Sequence, residues 1–544
     1  MNSPKDENGL IIFDGRRLTR RQFLETAAAL GLTLTGAGFL AGCSSSSSTT
    51  TVASAPVTTG GVATTAAIKQ GGSLKVGLGG GSEADSLDAH LVGTLPSLHA
   101  QYVLYSQLAQ LDPDSKIRLG LAESIEPNAT GDEWTIRLKQ GLEFHNGKTV
   151  GADDVIFSLQ RILDPNTHAA AAPFLALVDP NGMTKVDELT VRVKMLEPFA
   201  LFVEAVGDAG AQCIVPVGYD PNNPVGTGPF KYKSFTPGQQ MAFERFPNYY
   251  AGPAHLDELL FIGIPDDSAR VNALLSGQVD VISQIPYAQI PVVEQNSSCK
   301  ILEAEGSFTL PITMRVDTPP FDDVRVRQAI RLCMDREQAI KVALSGHGTK
   351  ANDLYSPFDP DFDSSLVRNQ DLEQAKALLK EAGKENLTVE LVTAPIAAGA
   401  VEMCLALAAD AAKAGITINV KQVDLGTFYG ENYLQWPFSV DWWNGQLFMT
   451  MTTVATASGA VFNETHFDDP EFNALFLEAR VEPDATKRGV IIRDMQKILF
   501  DRGGYLIPFF PNTVDAYRTN VAGIGLDMTG VGLGKGRWAT VYFV

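Results

Sequence analysis

Apolar and polar positions along the chain fall into two kinds of segment, short β-like runs and longer stretches of helical period, and in places the two alternate. Glu258 to Ile264 is a β-like run, Asp267 to Ser276 is helical and stops at Gly277, and Val279 to Ile282 is a second strand. The rhythm returns at Leu387, Val389 and Leu391. An Ala/Leu-rich helix follows to Lys413, with Gly415 after it, and Ile416, Ile418 and Val420 make the returning strand. Strand, helix, strand units of this kind build parallel or mixed sheets. Between the two units, Phe321 to Ile330 predicts an amphipathic helix, and Asp335 with Gln338 predicts the capped start of another. Asp469 to Arg480 and Thr486 to Arg502 predict two further helices, followed by a β-like run from Tyr505 to Phe510. No internal repeat is visible, which excludes solenoids and propellers. The pattern predicts an α/β protein of at least two lobes, globular from near Gly71 to Val544.

The N-terminal region follows other rules. Thr19-Arg20-Arg21-Gln22-Phe23-Leu24, with Arg16-Arg17 before it, leads into a mildly apolar run from Ala27 to Leu40. This looks like a twin-arginine export signal, and Leu40-Ala41-Gly42-Cys43 resembles a lipobox whose cysteine is acylated and becomes the mature N-terminus. An anchor helix is the alternative, but Gly31, Gly36 and Gly38 make the run a poor stop-transfer segment. The expected division is a signal over residues 1–43 and a Ser/Thr-rich flexible tether over 44–70. Cys43 would hold the protein by lipid on the extracytoplasmic face of the cell membrane. Cys213, Cys299, Cys333 and Cys404 remain; their spacing forms no framework, and they are expected to be buried free thiols. A net charge of −20 argues against a nucleic-acid partner, which would need a basic patch.

Four passages carry a resemblance. They are Leu104 to Leu108 with Gly120 to Ser124, Trp134 to Gly147 and Ala152 to Leu159; Gly226-Thr227-Gly228-Pro229-Phe230; the Asp323 to Arg336 helix pair; and the Asp469 to Leu499 helices. In order and spacing they resemble the extracytoplasmic solute-binding proteins of ABC importers, in the oligopeptide, dipeptide and nickel-binding family. The resemblance implies a two-lobed periplasmic-binding-protein-like fold of type II, in its large cluster C form, with an extra subdomain in the first lobe. It places lobe I at 71–309 and 505–544, with the subdomain at about 95–215, and lobe II at 310–504. It also implies a protein without chemistry of its own and without cofactor, a monomer that closes on a peptide-like or other small polar solute and delivers it to a permease.

The family's peptide binders carry a tryptophan followed by an aspartate that takes a peptide's ammonium. Here the stretch reads Asp441-Trp442-Trp443-Asn444-Gly445-Gln446, and no acid follows the tryptophans until Glu464. The clamp therefore does not carry over. The stretch still suits a pocket for a peptide, sugar or cationic compound: Trp442 and Trp443 offer flat apolar area, while Asn444 and Gln446 each offer donor and acceptor. The alternative for each indole is a place in the core. The loop holding Ser82, Glu83 and Asp85 corresponds to a cleft border, where the two acids are candidates for a cation or else solvated loop acids. Tyr102 and Arg315 are further candidates, the latter as a fork for a carboxylate; packing and surface ion pairing are their alternatives. Asp153 and Asp154 at a helix start, and Gly226 and Gly228, read as scaffold.

The seven histidines show no i, i+4 pair, and no nucleophile, P-loop or metal-ligand motif is present, so neither a catalytic residue nor a metal is expected. Two other functions share these features: a secreted hydrolase of peptides or glycosides using cleft carboxylates, and a receptor that senses the same solute.

Overall fold

A computed structural model describes residues 68–208 and 210–544, together with the backbone of a short antiparallel pair, Ile11–Phe13 and Arg16–Leu18. The Arg20-Arg21 run, the lipobox at Cys43 and the tether up to residue 67 lie outside the described residues. The end of the expected tether is already pinned, because Lys69 N–H donates to the Phe543 carbonyl at 3.0 Å.

Among the described residues the largest sheet runs Phe230–Thr236, Gln240–Arg245, Glu258–Gly263, Ser73–Leu78, Val281–Ile282, Thr513–Arg518, Cys299–Ala304. The first crossover unit does not pair its own strands. Glu258–Gly263 and Val281–Ile282 both lie parallel to Ser73–Leu78, one on each side of it. A second sheet runs Thr417–Gln422, Thr388–Thr393, Phe438–Val440, Ile312–Met314, Tyr505–Leu506. Here the second crossover unit pairs directly, Thr388–Thr393 parallel to Thr417–Gln422. A third, antiparallel sheet of Ala122–Pro127, Glu133–Leu138, Thr190–Met195 and Val178–Asp187 is inserted in the chain between strands of the first.

The chain passes between the two larger sheets twice, from Ala304 to Ile312 and from Leu506 to Thr513. The two passages touch: a Cβ on Gly306 would meet the Pro511 carbonyl oxygen at 2.5 Å. The run Tyr505 to Phe510 is not one strand. Tyr505–Leu506 pairs with Ile312–Met314 in the second sheet, and Phe509–Pro511 pairs with Gly348–Lys350. Pro508 lies between them and has no N–H for a ladder. The return therefore follows Leu506, slightly later than the expected boundary at 505.

Aspartates set the helix starts. Asp266, Asp323, Asp335, Asp371, Asp469 and Asp484 each accept a first-turn backbone N–H. For this reason the amphipathic run from Phe321 becomes helix only at Val324, after its Asp323 cap, while Phe321 itself is buried in the core. Gly226 and Gly228 act as scaffold by close approach: a Cβ on either would strike the carbonyl of Leu104 or of Val103. All four described cysteines are buried and unpaired. No helix among the described residues is long and apolar enough to cross a membrane.

The lobes touch in this structure. The helix Phe448–Ala455 and Trp443, from the second lobe, share one apolar cluster with Phe174, Leu175 and Phe202 of the first. Ala200 N–H donates to the Arg480 carbonyl at 2.8 Å, and Arg480 pairs with Glu197 at 2.8 Å.

Candidate functional site

Beyond the strand Phe438–Val440, the segment 441–447 runs along the seam between the lobes. Trp443 and Thr309 exchange both backbone hydrogen bonds at 2.8 Å, which fixes the segment beside one of the two passages. Strand-like alternation then sends the two indoles to opposite sides. Trp442 is half-buried, lies parallel to the Phe308 ring at 6.0 Å, and donates its indole N–H to the Tyr429 hydroxyl at 2.9 Å. Trp443 belongs to the core. It is 8 % exposed, meets Phe462 edge-on, and donates to Glu464 Oε1 at 2.9 Å.

The next residues dock against the first lobe. Gly445 N–H donates to the Thr529 carbonyl at 3.1 Å, and Leu447 N–H donates to Asp208 Oδ2 at 2.9 Å. A Cβ on Gly445 would run into Ser307 Oγ, so this approach requires glycine. The C-terminal loop is held from its own side. Asp527 accepts the N–H groups of Thr529 at 3.0 Å and Gly532 at 2.7 Å, and Asp515 accepts that of Leu533 at 2.6 Å.

Several acids at or behind this seam are buried, and burial pushes their carboxyls up: Asp208 to about 6, and Asp441 and Asp515 to about 7. Asp441 also accepts the Trp442 N–H at 2.8 Å. Glu464 is raised well above the carboxylate range by burial and then by the Asp441 charge. Sequence spacing separated Glu464 from the tryptophans; the fold returns it to the Trp443 indole. Lys535 sits on the C-terminal loop. Its burial lowers the ammonium's pKa, against the opposing pull of Asp527, Asp208 and Asp112. Tyr102 lies near two of the same acids, its phenol raised by burial and by the charges of Asp527 and Asp208. Asn444 and Gln446 are half-buried, and Gln446 Oε1 is sealed without a donor.

The remaining candidates lie elsewhere. Asp85 is buried, accepts the Thr94 hydroxyl at 2.6 Å and the Gly238 N–H at 3.0 Å, and so ties its loop to the start of the helix Leu95–Leu104. Ser82 closes a turn by accepting the Ala84 N–H at 3.1 Å, while Glu83 is exposed. Arg315 has no free fork, because it pairs with Asp317 at 2.9 Å and donates to the Gln435 carbonyl at 3.0 Å. None of the candidate site residues lines the polar cavity of about 180 Å³ near Arg336, Lys350 and Arg368, which belongs to the second lobe alone.

Lys535, Asp208, Phe308 and Tyr429 escaped sequence reasoning. The one signal was a lysine among the alternating glycines Gly530, Gly532, Gly534 and Gly536, a spacing that announces unusual backbone.

Two α/β lobes joined by two adjacent passages and meeting at a seam of aromatic and buried ionisable side chains make the fold of a two-lobed periplasmic binding protein. The chain belongs to the bacterial extracellular solute-binding proteins, family 5 (middle), whose pattern it matches over residues 116–463. Among curated relatives, it is 27 % identical over 446 residues to the glutathione-binding protein GsiB of Pectobacterium atrosepticum, covering 76 % of this chain and 84 % of the relative. It is 29 % identical over 473 residues to di/tripeptide-binding protein 4 of Pseudomonas aeruginosa, covering 78 % and 87 %. Among solved structures, CtaP of Listeria monocytogenes superposes with a TM-score of 0.77 at 22 % identity, covering 87 % of this chain and 100 % of the other. AppA of Bacillus subtilis in complex with a nonapeptide gives 0.71 at 21 %, covering 88 % and 100 %. This protein is thus the solute-binding component of an ABC importer, and its relatives are binding proteins, which leaves the hydrolase reading without support.

Proposed function

We propose that the protein captures a short peptide or peptide-like solute between its lobes, from a lipid anchor at Cys43, and passes it unchanged to an ABC permease. The observation that carries this reading is the seam itself. Trp442 and Phe308 supply a stacked apolar wall, and Tyr429 satisfies the indole N–H behind it. Further along the seam, Asp208 Oδ1 and Gln446 Oε1 lack partners, both acceptors suited to the N–H groups of a peptide. Relatives named for glutathione and for di- and tripeptides support the same class. The first lobe, over about 71–309 and 507–544, and the second, over about 310–506, would close as two bodies about the paired passages.

Isothermal titration with di- and tripeptides and with glutathione, followed by mass analysis of the recovered ligand, tests it. Stoichiometric binding with the ligand intact is expected; a cleaved product, or no binding by any of them, overturns it. Replacing Cys43 by Ser should release the protein from the membrane fraction. Continued attachment would refute the lipid anchor.

A further inference from the structure

An ammonium stands at the seam without a bond. Lys535 is 9 % exposed, and among the described residues its Nζ has no hydrogen bond and no ion pair within 4.0 Å. Of the acids around it, Asp527 holds the Thr529 and Gly532 amides and Asp112 is paired with Arg118 and Arg537, while Asp208 holds the Leu447 amide with Oδ2 alone. A buried charge without a partner is expensive, and where it persists a compensating group is expected.

The backbone holds this lysine in place. Lys535 has φ +52° and ψ +40°, a left-handed conformation disfavoured for a side chain with a Cβ, between Gly534 and Gly536. Gly536 packs on Tyr102, where a Cβ would come within 2.6 Å of the tyrosine's own. The Tyr102 hydroxyl has no hydrogen-bond partner among the described residues, and it feels the same two carboxylates, Asp527 and Asp208. Asp208 in turn holds the Leu447 amide, five residues past Trp442. An ammonium and a phenol hydroxyl without protein partners therefore lie near the same two carboxylates, one of which holds a second-lobe amide.

We infer that Lys535 is the contact for a carboxylate of the solute. The inference rests on the peptide reading above and deepens it: the preferred solute carries a free carboxylate, as an unblocked short peptide does. An ammonium paired with a carboxylate inside a closing cleft gains a charge-assisted hydrogen bond in a medium of low dielectric.

Titration calorimetry with alanyl-alanine and trialanine, each as the free acid and as the C-terminal amide, tests this. The parent protein should bind the acids at least about tenfold more tightly than the amides. Lys535→Met should abolish that preference while still binding the amides, and Lys535→Arg should restore part of it. A lysine that merely balances Asp208 and Asp527 would leave the preference intact in Lys535→Met while lowering the melting temperature, and that result overturns the inference. Equal binding of acids and amides by the parent overturns the inference alone. Binding of neither form overturns it together with the peptide reading.

Discussion

The two adjacent tryptophans do different work because a strand turns successive side chains to opposite faces. Trp443 fills the core against Phe462 and satisfies its N–H on Glu464. Replacing it by Ala should cost about 3–5 kcal/mol of stability, seen as a large fall in melting temperature. Trp442 stands half-exposed over Phe308. Its replacement by Ala should leave melting nearly unchanged and weaken peptide binding by more than about tenfold, read by titration calorimetry. Asp441 gives a pH signature. Its carboxyl is raised by burial to about 7 from an ordinary value of 3.8, so the folded state holds its proton where the unfolded state has lost it. That difference is absent below pH 3.8, grows as pH rises, and destabilises the native state fully above pH 7. Asp441→Asn should therefore melt a few degrees higher than the parent at pH 8, with the gap narrowing as pH falls toward 4 in a calorimetric scan; a constant gap would contradict the assigned shift.

At the scale of elements, capping aspartates decide where helices begin and the lobes' polar interiors decide how they stay joined. In the second lobe, Asp353 is fully buried. It pairs with Arg336 at 2.8 Å and Arg368 at 2.5 Å and accepts the Ile507 N–H at 3.1 Å. The group ties the start of the helix Arg336–Leu344 to the edge where the chain leaves the second sheet. Arg331, also buried, donates to the Tyr505 carbonyl nearby at 2.8 Å. Asp353→Ala would leave two guanidiniums buried without a counter-charge, and should cost about 3–5 kcal/mol in a denaturant titration of the second lobe. The conservative Asp353→Asn keeps acceptors for Arg336 and should lose less. Helix positions were legible in the chain because the capping residue and the apolar period are local. The division of Tyr505 to Phe510 into two pairings was not, since both partners, Ile312–Met314 and Gly348–Lys350, lie more than a hundred residues earlier.

At the scale of the whole molecule, the two passages between the lobes are packed against each other. Gly306 lies against the Pro511 carbonyl, and Glu303 accepts from both His347 and Asn512, at 2.9 Å and 2.6 Å. Gly306→Val should wedge the passages apart, weaken solute binding and reduce the solute-induced decrease in radius of gyration seen by small-angle scattering. An unchanged decrease would show that closure does not turn on this contact. By itself the sequence determined the α/β class, the helix starts, the family and the segment that carries the seam, because apolar period, capping aspartates and ordered motifs are properties of neighbours along the chain. Only the tertiary structure decided that Asp85 and Arg315 are engaged by other parts of the protein, that Trp443 is core while Trp442 is not, and that Lys535 is buried near Asp208 and Asp527. Those outcomes depend on burial and on partners distant in sequence, Gly238 for Asp85 and Glu464 for Trp443, which come together only when the chain has crossed between its lobes and returned.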